Sequence, residues 1–380
     1  MNAFKLAILT DHIANIGGAE SILFNAVDLY PEADLLTVVH NQALNANMPA
    51  AVREKTFHTS FLQNFPFAVT AYKAYLPIMP LAVEALNVQA YDVLLSSHHS
   101  VIKGVIPRPD AVHLCYCHSP ARYLWDQYWT YAEFNRLGSL AKFLVNTRLH
   151  PLRIWDVSSA NRVDRFLANS NFTAKRIQKY YNRQAEVLFP PVETQKFKPS
   201  PPQADYYLMV GRLVAYKGFE LAIDVFNRLK LPLVIIGDGP EYRRLKQKAG
   251  ETVTLRRQVS QASLIEHFEA CRGFIFPGKE DFGIAMVEAQ AAGKAVIALQ
   301  AGGALDIVQP DITGVLAPEF SESAFVDAIQ RAQRIHWDVQ TIARHADTFD
   351  KRHFRSRLKT LIDWAAETRQ SRKPLNDIRL

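Results

Sequence analysis

Apolar and polar positions along the chain follow one pattern, written twice. Short apolar runs (FKLAILT at 4–10, DLLTVVH at 34–40, YDVLLSSH at 91–98, AVHLCYCH at 111–118, RFLANS at 165–170, AEVLFPP at 185–191) alternate with amphipathic stretches such as AESILFNAVDLY and FTAKRIQKYY. After Pro202 the rhythm restarts. YYLMVGRL, PLVIIGDG, TVTLRR, GFIFPG and AVIAL read as strands, separated by FELAIDVFNRL, SLIEHFEAC and AMVEAQAAG as helices. Continuous Val/Ile/Leu runs flanked by helical patterns belong to parallel sheets covered on both faces. The predicted fold class is therefore α/β, with two doubly wound parallel-sheet domains.

The junction is also written in the residues. FPPVETQKFKPSPPQAD, residues 189–205, holds five prolines in seventeen positions and cannot continue a helix or a central strand. It predicts a hinge near 190–204, with a first domain over 1–190 and a second over 191–350. DKRHFRSRLKTLIDWAAETRQ then reads as one amphipathic helix within a final segment, 351–380. Open parallel sheets take their ligands at the carboxyl ends of their strands, so the chemistry is expected at strand-to-helix turns facing a cleft.

Four turns stand out. Gly17-Gly18 precedes a helix and offers close backbone approach and free N–H groups to an anion. In VGRLVAYKGFELAI, Arg212 and Lys217 share one loop beside glycines, a plausible diphosphate clamp of one planar fork and one point charge. In FIFPGKEDFGIAMVEAQAAG, Glu280 lies in the loop and Glu288 two turns along the helix that starts near Ile284. Gly283 leaves that helix's N–H groups open to phosphate, and a carboxylate suits the two hydroxyls of a ribose. His118 ends a strand in VHLCYCHSPARYLWD and faces the expected cleft. Neither the glycine pair nor GDGPEY at 237–242 satisfies the GxGxxG dinucleotide pattern.

Composition narrows the setting. The 380 residues are 48% hydrophobic and 21% charged, which excludes a disordered chain and exceeds what one core usually serves. The longest apolar candidate for a membrane span, Phe65 to Leu86, is broken by Pro66, Lys73, Pro77, Pro80 and Glu84. The N-terminus reads as a first buried strand and not as a signal peptide. Cys115, Cys117 and Cys271 have poor zinc spacing and read as reduced buried thiols, which points to the cytoplasm. The net charge of +7 is uneven, since ten Lys/Arg against two acids between Phe134 and Arg183 give +8. With Phe134, Phe143, Leu149 and Trp155 among them, these cations predict contact with an anionic membrane surface or a phosphorylated acceptor. No nucleic-acid signature accompanies them.

Taken together, the turns resemble the retaining glycosyltransferases of family 4 (glycosyl transferases group 1), with their two-domain GT-B fold, over essentially the whole chain. EDFGIAMVEAQAAGKAVIA resembles the E-x7-E signature with Glu280 and Glu288 in register, and GRLVAYKG resembles the diphosphate-binding segment. Gly17-Gly18-Ala19-Glu20 is similar to the glycine loop, and CHSPARYLWD to a segment of bacterial surface-polysaccharide mannosyltransferases. Arg257 departs from the family, which usually carries glycine in that turn. The resemblance implies a last helix crossing back to the first domain and transfer of a hexose, with retained configuration, from a nucleotide-sugar to a hydroxyl. GDP-mannose is the leading donor and a UDP-hexose the next, and the acceptor is a glycan or a lipid-linked glycan. A sugar-phosphate synthase, an epimerase, a glycoside hydrolase and a non-catalytic binding module stay open as alternatives. It implies catalytic roles for His118, Glu280, Arg212 and Lys217, and nucleotide-sugar contacts from Gly17, Gly18, Arg212, Lys217, Phe282, Gly283, Ile284 and Glu288. No D-x-D triplet occurs, so neither a metal nor another cofactor is expected. The implied location is the cytoplasm or the cytoplasmic face of the inner membrane.

Overall fold

Each apolar run read as a strand is one in the computed structural model, which describes residues 4–13, 17–126, 128 and 139–372. The first sheet comprises β1 (Leu6–Ile13), β2 (Asp34–His40), β3 (Phe57–Thr59), β4 (Val93–His98), β5 (Val112–Cys117), β6 (Arg165–Ala168) and β7 (Ala185–Val187). The second comprises β8 (Tyr207–Val210), β9 (Leu233–Ile236), β10 (Val253–Arg256), β11 (Gly273–Phe276), β12 (Val296–Leu299) and β13 (Gly314–Ala317). All pairings among these strands are parallel, in the orders β3-β2-β1-β4-β5-β6-β7 and β10-β9-β8-β11-β12-β13. β3 and β13 add one strand to each sheet beyond the apolar runs read from the sequence.

The chain folds as two units, one of Met1–Phe189 with Phe354–Leu380 and the other of Pro190–His353. In the first unit, Ile8, Leu35, Leu95 and Leu114 face Ile22, Leu23 and Val27 of the helix Glu20–Leu29, together with Phe354, Leu358 and Ile362. Those last three belong to the helix Lys351–Ser371, so its apolar stripe completes the core of the first unit. Arg357 and Arg372 of the same stretch pair with Glu186 and Asp164. In the second unit, Met209, Ile235, Ile275 and Ile297 pack under Ile223 and Phe226 of the helix Phe219–Leu229 and Phe325 and Ile329 of the helix Glu322–Arg334.

The proline-rich junction differs from a free linker. Val192 is buried, Phe197 packs edge-on against Phe268, and Thr194 Oγ1 donates to Asp350 at 2.6 Å. Residues 192–200 are a strap on the second unit, held by these side chains, and the units change at Phe189–Pro190. Prolines remove backbone donors from such a segment, and its side chains supply the attachment.

The basic stretch is also corrected. Arg162 donates to the Gly104 carbonyl and pairs with Glu84, and Arg176 is buried against Ser119 and Asp126. Arg153 donates to the Leu124 carbonyl and Arg183 to the carbonyls of Ala160 and Val163. These cations satisfy the protein's own acceptors, so a large part of the counted +8 is not available as a surface patch. Trp155 is engaged as well, its indole N–H donating to Glu84. Phe134 lies outside the described residues, as does the side chain of Phe143. Arg148, Lys175 and Lys179 are exposed. The three cysteines are free and buried, and burial pushes the Cys115 and Cys271 thiols up to about 12.

Candidate functional site

Strand order reverses direction between β1 and β4 in the first sheet and between β8 and β11 in the second. Such switch points open a crevice at the carboxyl ends of the strands, because the helices that follow lie on opposite faces. The residues singled out in the sequence fall at these two places, one set in each unit.

In the second unit, the loop after β8 carries Arg212, whose exposed side chain makes no hydrogen bond or ion pair among the described residues. Lys217 ends the short turn Ala215–Lys217, and its ammonium lies 2.8 Å from Glu280 Oε1, with both side chains mostly covered. Glu280 comes from the loop after β11, so the ion pair ties the two loops of the switch point together. Gly302 lets a third loop join them. A Cβ there would stand 2.2 Å from the Glu280 carbonyl, and the neighbouring Gly303 N–H donates to that same oxygen at 2.9 Å. The pair Gly302-Gly303 carries no charge and no periodic signal, so motif spacing alone passes over it. A glycine pair just after an apolar run, AVIAL followed by QAGGA, is the mark it leaves.

The helix Ile284–Ala291 starts at Gly283, whose φ of 103° is a conformation side chains resist. No side chain caps that end, so its first N–H groups face outward from the helix without a side-chain acceptor. Phe282 does not present its side chain here, because its ring is buried against Phe349. Any contact it makes with a ligand is through its backbone. Ile284 is partly exposed at the first turn. Glu288 is largely buried, and burial pushes its carboxyl up to about 7. Lys196 moderates that rise, whereas Glu193 adds to it. Arg257 stacks on the Tyr242 ring at 4.2 Å and approaches Asp238 at 3.8 Å, which occupies it within the second unit.

In the first unit, His118 follows β5 and lies 2.8 Å from Ser97 Oγ of β4. Burial lowers it to about 3, so it is a neutral imidazole at physiological pH. The glycine loop is partly occupied by the protein itself, since the Gly17 N–H donates to Glu20 Oε2 at 2.7 Å. Gly18 accepts from Ser21 Oγ through its carbonyl. The group at the heart of this end is one that sequence reasoning misses. Asp11 is fully buried and accepts from the N–H groups of His99, Ser100, Val101 and Ile102 at 2.5–3.0 Å. Against the cost of burial, the neighbouring His99 and His98, and then those bonds, hold its carboxyl well below the usual carboxylate range. His12, His98 and His99 stand around it. A charged residue closing an apolar strand, and two consecutive histidines closing another, are the available signals.

A second network stiffens the same turn. Lys103 is fully buried, and its ammonium donates to the carbonyl and Oδ1 of Asp156 and to Ser159 Oγ at 2.6–2.8 Å. Trp125 and Tyr181 donate to the same carboxylate. The His118–Asp126 segment is thereby tied to the helix Asn171–Tyr181, which also supplies Arg176.

Among the described residues, no group of three or more His, Cys, Asp or Glu is arranged to hold a metal, and no helix is long and apolar enough to cross a membrane.

The family profile described as glycosyl transferases group 1 matches residues 192–335. The O-antigen chain mannosyltransferase C of Escherichia coli is 30% identical over 133 residues, which cover 33% of this chain and 36% of the relative. The GDP-mannose-dependent alpha-mannosyltransferase of Corynebacterium glutamicum is 33% identical over 108 residues, covering 28% and 26%. The matches thus span about a third of these relatives' length or less. Among solved structures, Anabaena HepE in complex with UDP and glucose superposes with a TM-score of 0.67 at 16% identity, over 95% of this chain and 100% of that one. The lipopolysaccharide outer core galactosyltransferase WaaB gives 0.65 at 14% identity, over 95% and 99%. The chain has the GT-B fold of two Rossmann-like domains, and its residues 192–335 match the profile of the glycosyl transferases group 1 family.

Proposed function

We propose that this protein is a retaining hexosyltransferase that moves mannose from GDP-mannose to a hydroxyl of a glycan or lipid-linked glycan. The observation that carries the reading is the switch point of the second sheet. There, inside the family-matched segment, a free Arg212 adjoins the Lys217–Glu280 pair and an uncapped helix end at Gly283. Relatives whose names specify GDP-mannose favour that donor over a UDP-hexose.

The task is to break the bond between the sugar C1 and the diphosphate oxygen while negative charge grows on the leaving group. Arg212 and Lys217 neutralise that charge, and the N–H groups at Gly283 and Gly18 are assigned as further donors to it. Two protein cations stand where a metal would otherwise serve, so the proposed reaction needs no added metal. Glu280, held by Lys217, takes hydroxyls of the transferring sugar, and Glu288 takes the ribose diol. His118 is neutral and offers a hydrogen bond to sugar hydroxyls. The departing phosphate takes the proton of the attacking acceptor hydroxyl. Residual surface cations make peripheral contact with an anionic membrane face part of the same proposal.

The test is a panel of labelled nucleotide-sugars with calorimetry, run with and without EDTA. GDP-mannose should bind and be consumed equally in both. A preference for a UDP-hexose would replace the donor, and loss of binding under chelation would remove the metal-free claim. Binding without turnover towards any glycan acceptor would make the protein a binding module.

A further inference from the structure

Beside His118, the first unit holds a set of rings to which the proposed transfer assigns no role. His12 lies on β1 and Tyr72 begins the turn Tyr72–Ile78, with ring centroids 4.1 Å apart. His99, just past β4, meets His12 edge-on at 4.9 Å and lies 6.3 Å from His118. His12, Tyr72 and His118 are partly exposed, and the side chain of His99 is 30% exposed, so together they form one continuous wall. Behind it His98 is fully buried, and neither of its ring nitrogens has a hydrogen-bond partner among the described residues. Buried polar atoms left in that state call for a partner that the protein does not supply.

The wall is rigid, and its contact with the buried carboxylate is internal, His99 Nδ1 lying 3.2 Å from Asp11 Oδ2. Asp11 clamps the turn 99–102 through four N–H groups, and Lys103 anchors the end of that turn to Asp156. Asp11 is committed to those donors, and Lys103 is sealed from solvent by its own partners. Burial, helped by His99 and Lys73 and opposed by Asp11, lowers His12 to about 3. Lys73 is solvent-exposed. Neutral imidazoles accept and donate single hydrogen bonds, and ring faces take the C–H surface of a pyranose. A phosphate needs cations or clustered N–H donors, and the N–H groups of this turn are already taken by Asp11.

We propose that His12, Tyr72 and His99 receive an uncharged saccharide end of the acceptor, in preference to a phosphorylated one. The proposal rests on the transferase reading above but concerns only the first unit. It is tested by saturation-transfer NMR on the full chain with saturating GDP. The probes are the methyl glycosides of mannose, glucose, galactose and N-acetylglucosamine, with mannose 6-phosphate as the charged counterpart. At least one neutral glycoside should bind, and the phosphate should bind at least tenfold more weakly. His12→Phe, which keeps a ring and removes the nitrogens, and His99→Ala should each weaken the glycoside at least tenfold. Lys73→Gln should leave it unchanged. GDP affinity measured alongside should stay within twofold in all three variants. Binding of no neutral glycoside, preference for the phosphate, or glycoside affinity untouched by both histidine variants overturns the proposal. Loss of GDP binding by the unaltered protein would instead strike the donor reading.

Discussion

The two switch points are built from the same strand topology and hold opposite chemistry. At the end of β1 and β4, charge is consumed internally: Asp11 is spent on four backbone N–H groups and on His99 Nδ1 at 3.2 Å, and His12 and His118 are neutral. At the end of β8 and β11, charge is left available, with a free Arg212, a Lys–Glu pair at 2.8 Å and a carboxyl poised near 7. The difference teaches what each end is fit to meet. Fixed, satisfied dipoles suit a neutral partner, whereas an unpaired Arg212 beside a Lys–Glu pair suits a multiply charged one.

The largest expected effect lies in the first unit and breaks the comparison if it spreads. Lys103→Met leaves the Asp156 carboxylate buried without its cation, which should cost about 3–5 kcal/mol of stability. Thermal unfolding should show the loss, while GDP affinity below the transition should stay within twofold. A large fall in GDP affinity would mean that the two ends are not chemically independent.

Next comes Glu280→Gln, which weakens the grip on Lys217 and on the transferring sugar. Turnover should fall by on the order of 100-fold with little change in donor affinity, since a misplacement of about 1 Å at the reacting centre costs that much. Steady-state kinetics would show the reverse split if Glu280 served binding alone.

Glu288→Gln should act mainly on KM, raising it about tenfold, because the ribose contact is equally good before and during reaction. The carboxyl near 7 adds a pH signature. Only the ionised form accepts two hydroxyls, so GDP affinity should rise about tenfold from pH 6 to pH 8. Unliganded stability should run the other way. A folded carboxyl raised above its unfolded value favours folding at low pH, and that contribution is lost as the pH rises through about 7. Calorimetry and thermal melts across that range should show both slopes, and Glu288→Gln should flatten both.

The smallest effect sharpens what is left of the basic stretch. Arg148→Glu alters an exposed cation, so stability should move by no more than about 0.5 kcal/mol. If this face meets an anionic bilayer, vesicle affinity at low salt should drop about fivefold, in line with roughly 1 kcal/mol per basic residue. Unchanged flotation with phosphatidylserine vesicles would remove the membrane contact at Arg148.

Much of this protein is determined locally. The alternation of apolar runs with amphipathic stretches specifies the strands, because period and length are properties of neighbouring residues. Motif spacing likewise places Arg212, Lys217, Glu280 and Glu288 at loops and a helix start, since five or eight residues of separation fix position along one element. What only the tertiary structure decided are relations between residues far apart in the chain. Asp11 finds its donors 88–91 residues away, Lys103 its carboxylate 53 residues away, and Gly302 its reason in the Glu280 carbonyl. The same holds for arginines counted as a basic surface, which turn inward to acceptors on other elements. A sequence lists charges, and packing decides which of them are spent: a buried acceptor draws in the nearest donor whatever their separation along the chain.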